Sequence, residues 1–173
     1  VVKQLVFSTA GADDAPELCA LLNAASADLT RRYGDGHWSR LATENGTLRR
    51  ITDSRVIIAR DTHGRLAGTV ELVTKKPWAI DRAYFTPVKR PLYLLNMAVD
   101  VSVQRRGIGR ALLAEAERVA RAWPAQSICL DAYDASAGAG QFYARCGYRQ
   151  VGGKVYRGVP LVYYEWLIRP AVD

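Results

Sequence analysis

The run Tyr93-Leu-Leu-Asn-Met-Ala-Val99 is apolar at both strand parities, with Asn96 its one polar exception, and soon gives way to Gln104-Arg-Arg-Gly107-Ile-Gly109 and a long helical pattern. A strand that is apolar on both faces has to be covered on both, which predicts a central strand of a sheet flanked by helices. Beyond the turn, Ile108, Leu112, Ala116, Val119 and Trp123 recur at helical spacing, Glu117 stands one turn before Arg121, and Pro124 follows the end. Strand, glycine turn and helix in that order convert a helix N-terminus into an anion site. The glycines let the chain bend tightly and bring successive N–H groups against an anion, where the helix dipole favours negative charge. Arg105, Arg106 and Arg110 add positive charge at the same place. Taken alone, the pattern fits a tight turn with solvated arginines equally well.

The rest of the chain alternates short apolar runs with helical ones. Lys3 to Ser8 predicts a first strand, and Asp13 opens a helix with Pro16 and Glu17 in its first turn and Leu18, Leu21, Leu22, Ala25 and Leu29 on one stripe. Gly34-Asp-Gly36 breaks that helix, and a weaker one is predicted from His37 to about Ile51. Arg55 to Ala59 reads as a β-branched strand, Asp61 to Gly64 as a turn, and Leu66 to Thr74 as the hairpin partner, in which Gly68 signals a bulge or a close backbone approach. Lys75 to Pro91 mixes prolines with Trp78, Tyr84, Phe85 and charges, which predicts a long excursion, either a substrate lid or a disordered hairpin tip. Ser127 to Tyr133 is a further strand, Ser136 to Cys146 a short helix stopped by Gly147, and Tyr148 to Val151 and Leu161 to Leu167 closing strands. With no repeat, low-complexity tract or linker, residues 1–173 read as a single domain.

Composition narrows the partners. The formal charge of +7 suits an anion, but the basic residues come as separated doublets and not as one run, so nucleic acid is an unlikely main partner. Cys19, Cys129 and Cys146 are far apart with no paired spacing and no histidine cluster, which argues against a disulfide framework or a metal site and for a reducing, cytoplasmic setting. No apolar run approaches a membrane span, and the N-terminal residues lack the pattern of a signal peptide.

Two nucleotide loops fail on mechanics. A Walker loop needs a Gly-Lys-Ser/Thr ending, absent here, and a dinucleotide loop needs a third glycine near the start of a parallel unit. The stretch Leu95-Asn-Met-Ala-Val99 through Gln104-Arg-Arg-Gly-Ile-Gly-Arg-Ala-Leu-Leu113 resembles the coenzyme A signature of the GNAT acetyltransferases, a strand, then (Gln/Arg)-x-x-Gly-x-(Gly/Ala), then a helix. The later stretch Leu130-Asp-Ala-Tyr133 through Gln141-Phe-Tyr143-Ala-Arg-Cys-Gly147-Tyr148 resembles that family's second block, at matching spacing. The resemblance implies an α/β (α+β) fold: a mixed, mostly antiparallel, twisted sheet of about six to seven strands with about four helices, the strands splayed at the acetyl-CoA site. It also implies an acyltransferase that moves an acetyl group from acetyl-CoA directly to a primary amine of a small molecule, or of a protein, in a ternary complex without a metal.

By the same resemblance, Met97, Ala98 and Val99 offer main-chain N–H groups to the acetyl carbonyl and pantetheine. The amides of Gln104, Arg105, Arg106, Gly107, Ile108, Gly109 and Arg110 hold the pyrophosphate. Ser136 stands where relatives often carry an asparagine that faces the pantetheine, and Tyr143 matches the tyrosine that points at the sulfur. A phenol is protonated at neutral pH and can donate to a leaving thiolate, although helix-face packing beside Phe142 explains the residue too. For the base, Glu71 shares a strand face with Thr69 and Val73 but could equally face solvent, and Tyr93 with Asn96 could hold a relaying water. His37, next to Trp38, is a candidate for the acceptor pocket, whereas His63 sits in a turn. A coenzyme A-binding regulatory module without turnover and a basic nucleic-acid-binding domain are the competing classes. The acceptor, and the choice between monomer and homodimer, stay open.

Overall fold

A computed structural model describes residues 4–168, so Lys3 of the expected first strand lies outside the described residues. The chain folds as two compact units. One comprises the described residues up to Leu72 with Leu95–Ala116, and the other Val73–Leu94 with the described residues from Glu117 onward.

The first unit holds β1 (Val6–Thr9), α1 (Ala15–Tyr33), α2 (Glu44–Asp53), β2 (Arg55–Arg60) and nearly all of β3 (Leu66–Val73), together with the later half of β4 (Pro91–Val99) and the first turns of α3 (Ile108–Ala122). β1, β2 and β3 form an antiparallel meander. Its register slips where Ala59 faces Gly68 and Arg60 faces Leu66, the bulge that Gly68 announced. The close approach is present as well: a Cβ on Gly68 would sit 2.9 Å from the Ala98 carbonyl oxygen and 2.8 Å from Leu112. α1 lays Leu18 and Leu21 on Val56, Ile58 and Leu66, which removes the apolar stripe from water.

The helix expected from His37 begins only at Glu44. His37–Ser39 forms a single 3-10 turn because α1 captures the connecting chain. Ser26 donates to the Trp38 carbonyl (2.6 Å), and Asn23 both donates to the Ala42 carbonyl (3.1 Å) and accepts from its N–H (2.7 Å). Thr43 then caps α2, its hydroxyl accepting from the Gly46 N–H at 3.1 Å.

The second unit holds the beginning of β4, the end of α3, β5 (Ser127–Tyr133), α4 (Gly140–Arg145), β6 (Arg149–Tyr156) and β7 (Val159–Leu167). β4 runs parallel to β5 over Pro91–Tyr93 against Ser127–Cys129, while β5 and β6 flank β7 antiparallel. Among the described residues the hydrogen-bonded order is β1-β2-β3-β4-β5-β7-β6, a mixed sheet of seven strands in which β4 and β5 run parallel. Arg157 and Gly158, both at positive φ (49° and 81°), close the β6–β7 hairpin as a two-residue turn whose twist matches the strands.

Two expectations change here. The helix predicted from Ser136 spans only Gly140–Arg145, because Gly138 passes so close to the Tyr133 carbonyl that a Cβ would lie 1.8 Å from its oxygen, and Ser136 stays in the turn before it. The Lys75–Pro91 excursion is neither a loose tip nor a free lid. Ile80 and Phe85 are buried with Tyr93, Cys129, Leu161 and Tyr163, the Tyr163 hydroxyl donates to the Ala79 carbonyl (2.5 Å), and Lys154 pairs with Asp81 (2.8 Å). Glu165, with its side chain wholly buried, accepts from the Thr86 N–H (2.9 Å), the Thr86 hydroxyl (2.7 Å) and Arg149. Burial alone would raise the Glu165 carboxyl, but Arg149 and the two Thr86 donors hold it below the ordinary carboxylate range.

Candidate functional site

The N-terminus of α3 is prepared by the chain before it. Where β4 ends, the Asp100 N–H donates to the Ala67 carbonyl (2.9 Å), and the Asp100 carboxylate accepts from the Ser102 N–H (2.8 Å) and hydroxyl (2.5 Å). Gln104 donates to the Val99 carbonyl (3.3 Å). Arg105 (φ 61°) and Gly107 (φ 85°) then adopt the left-handed conformation, which turns successive N–H groups to one side as in an anion-holding nest. Gly109 does not take part in the bend; it lies in the first turn of α3. The Ala111 N–H donates to the Gly107 carbonyl (3.0 Å), opening the helical ladder. Helix geometry therefore leaves the N–H groups of Gly107, Ile108, Gly109 and Arg110 without intrahelical acceptors. Ile108 is buried and anchors the turn, while Arg105, Arg106 and Arg110 stay exposed beside it. These features suit an anion such as a diphosphate: main-chain donors and a helix dipole at the turn, with three exposed arginines next to it in the chain.

Along β4, Asn96 takes a positive φ of 47° in the middle of the strand, and Met97, Ala98 and Val99 continue beyond it, half-buried. The Asn96 amide reaches Glu71. Glu71 is buried (5 % exposed) and not solvent-facing; one of its oxygens accepts from Asn96 Nδ2 (2.6 Å) and the other from the Ser54 hydroxyl (2.8 Å). A buried carboxylate needs such donors, since each left unmade would cost about 1–3 kcal/mol. Glu71 and Asn96 form one wall of a narrow concavity closed by Leu18, Leu22, Arg50 and Thr69. Glu71 and Asn96, two of the expected site residues, thus lie in contact, and Ser54 joins them although nothing in its local sequence marks it.

Tyr143, on α4, is buried, with its ring against Phe142, Tyr148 and Tyr164 at centroid distances of 5.4, 5.9 and 6.1 Å. Burial, and after it the nearby Asp131 and Cys146, push its phenol well above the ordinary tyrosine range. Tyr93 belongs to the second unit's core, and Ser136 is exposed. His37 is exposed in its 3-10 turn, and His63 is exposed in the β2–β3 turn, its N–H donating to Asp61. Among the described residues no group of three or more His, Cys, Asp or Glu side chains could hold a metal ion.

The sequence matches the model of the Acetyltransferase (GNAT) family over residues 20–148. No curated protein matches it. Solved structures share the fold at low identity. An acetyltransferase of the GNAT family from Listeria monocytogenes is 19% identical with a TM-score of 0.73, the match covering 95% of this chain and 96% of that one. yncA from Salmonella typhimurium, solved with its cofactor acetyl-CoA, is 14% identical with a TM-score of 0.71, covering 99% and 98%. The ribosomal-protein-alanine N-acetyltransferase from Brucella melitensis is 18% identical with a TM-score of 0.71, covering 94% and 99%.

Proposed function

The chain belongs to the GNAT acetyltransferase family, and from that premise we propose that it moves an acetyl group from acetyl-CoA directly to a primary amine, on a small molecule in preference to a protein. The bend at Arg105 and Gly107, opening into α3 beside three exposed arginines, is the observation that carries this reading. In it, the amides from Gln104 to Arg110 grip the diphosphate, and the Met97, Ala98 and Val99 main chain receives the pantetheine and the acetyl carbonyl. Ser136 offers a hydroxyl to the pantetheine. We read the whole chain as one acetyltransferase domain, since the family match runs through residues of both compact units.

The chemistry asks for a proton at the departing sulfur and the loss of one from the attacking nitrogen. Tyr143 is assigned the first task, because burial keeps its phenol protonated at neutral pH and above. Glu71, oriented by Asn96 and Ser54, is assigned the second: its carboxylate accepts from the amine, directly or through water, at the narrow concavity it shares with Leu18, Leu22, Arg50 and Thr69. Cys19, Cys129 and Cys146, which form no disulfide among the described residues, suit a reducing cytoplasm, and among the described residues no helix is long and apolar enough to cross a membrane. Thiol release from acetyl-CoA with a panel of amino acids, polyamines, aminoglycosides and peptide N-termini tests the reading. Acetylation of at least one small amine supports it; coenzyme A binding without thiol release for every acceptor overturns it in favour of a regulatory module.

A further inference from the structure

The second unit carries a groove of about 580 Å³ whose lining residues have no part in the acetyl transfer proposed above. Four cations line it, Lys76, Arg82, Lys89 and Arg90, and Tyr93 and Trp123 contribute aromatic wall. Among the described residues no carboxylate lines it, and the nearby Asp81 is engaged by Lys154 at 2.8 Å. Many other cations of this chain are matched by acids: Arg31 and Arg32 by Asp28, Arg60 by Asp14 and Glu17, Arg65 by Asp61, Arg149 by Glu165. Among the described residues the groove is thus a concentration of positive charge with no acid in its lining.

Its cations are also set in place. Lys76 Nζ donates to the Pro77 and Ile80 carbonyls (2.9 and 2.8 Å), Arg82 to the Val88 carbonyl (3.0 Å), and Arg90 Nε to the Pro124 carbonyl (2.8 Å). The main chain of Lys89 and Arg90 is itself fixed, both N–H groups donating to Gln126 Oε1 at 3.0 Å. Carbonyl partners orient an ammonium or guanidinium without neutralising it and leave its other donors for a ligand. The excursion that carries Lys76 to Arg90 is packed into the core, so little ordering remains to be done on binding. A concavity of this size with aromatic wall and convergent polar groups has the make-up of a small-molecule site, whereas an extended nucleic acid calls for a stripe of cations.

We propose that this groove binds a small phosphomonoester with an aromatic or apolar body, its phosphate held by Arg82, Lys89 and Arg90 and its body resting against Trp123. The planar guanidinium forks of Arg82 and Arg90 favour a phosphate over a halide or a lone carboxylate, and a dianion answers several cations at once. The inference is independent of the acetyl-transfer reading.

The probe is 1-naphthyl phosphate, titrated into the full chain by calorimetry and by following the Trp123 indole N–H in proton–nitrogen correlation spectra, assigned with Trp123→Phe. Saturable one-to-one binding that shifts this signal is expected. Affinity should fall about tenfold or more in Arg82→Gln/Lys89→Gln, the loss of at least one charge-assisted bond. Should that pair fail to fold, Lys89→Gln alone, at an exposed side chain, should still weaken binding several-fold. Inorganic phosphate should compete, and 1-naphthol should not bind. The proposal is overturned by an unmoved Trp123 signal, by equal affinity in the variants, or by 1-naphthol binding as well as its phosphate. It is equally overturned if Gly109→Val abolishes binding, which would put the probe at the α3 turn, or if only RNA binds, with steep salt dependence.

Discussion

Replacing Asn96 by alanine and by glycine should invert the usual ranking of those two residues in a strand. Asn96 does two things at once: it holds a left-handed backbone (φ 47°) within β4, and its amide donates to buried Glu71 at 2.6 Å. Both variants lose the bond, which at a buried carboxylate is worth about 1.5–3 kcal/mol. Alanine also has to enter the left-handed region at a cost of about 1–2 kcal/mol, which asparagine partly escapes and glycine escapes altogether. We therefore expect a loss of about 3–4 kcal/mol for Asn96→Ala and about 1 kcal/mol less for Asn96→Gly. In an ordinary strand glycine is the worse of the two by about 0.5–1 kcal/mol, so the sign alone is diagnostic. Urea unfolding of wild type and both variants, compared at constant m, reads the difference. An alanine variant as stable as glycine or more so would refute the strain, and wild-type stability in either variant would refute the bond to Glu71.

Tyr143→Phe keeps the ring packed against Phe142, Tyr148 and Tyr164 while removing the proton, so kcat should drop about 10²–10³-fold with little change in KM for acetyl-CoA; steady-state kinetics on a folded variant check this. Because burial raises the Tyr143 phenol, the wild-type pH–rate profile should show no alkaline fall from this group up to the ordinary tyrosine pKa of about 10. Arg149→Met should cost about 1–2 kcal/mol at neutral pH, a modest figure because Arg149 is largely exposed although Glu165 is not. The Glu165 pKa is depressed, so that contribution is complete above the unfolded carboxylate value of about 4.3 and disappears as pH falls through the lower folded value; urea midpoints of the two proteins should converge in acid. Burial pushes the Cys129 thiol up to about 11, so Ellman's reagent should leave it unlabelled in native protein and label it in urea, as read by peptide mass mapping.

The turn and helix from Gln104 to Ala122 were legible because everything that makes them is local: the two-faced apolar strand, the glycine bend and the helical stripe follow one another along the chain. What was hidden depends on the fold. Glu71, Asn96 and Ser54 meet across sequence separations of 17 and 25 residues, brought together by the neighbouring places of β2, β3 and β4 in the sheet and by the unusual backbone of Asn96. The Lys75–Pro91 excursion looked loose for the same reason, since the residues that secure it, Tyr163, Glu165 and Arg149, come from β6 and β7. The helix starts at Gly140 and not at Ser136 because Gly138 runs against the Tyr133 carbonyl, of which a helical pattern says nothing. Arg157-Gly158 likewise forms a turn whose first residue gives no strong signal of a positive φ.

The proposed main-chain grip on a diphosphate at Arg105–Arg110 is tested directly by calorimetric titration of the folded full chain with coenzyme A and with acetyl-CoA. One-to-one uptake of both, abolished or strongly weakened in a folded Gly107→Val variant that cannot adopt φ 85°, is the predicted result. Absence of uptake by the wild-type protein, or full affinity in that variant, would contradict it.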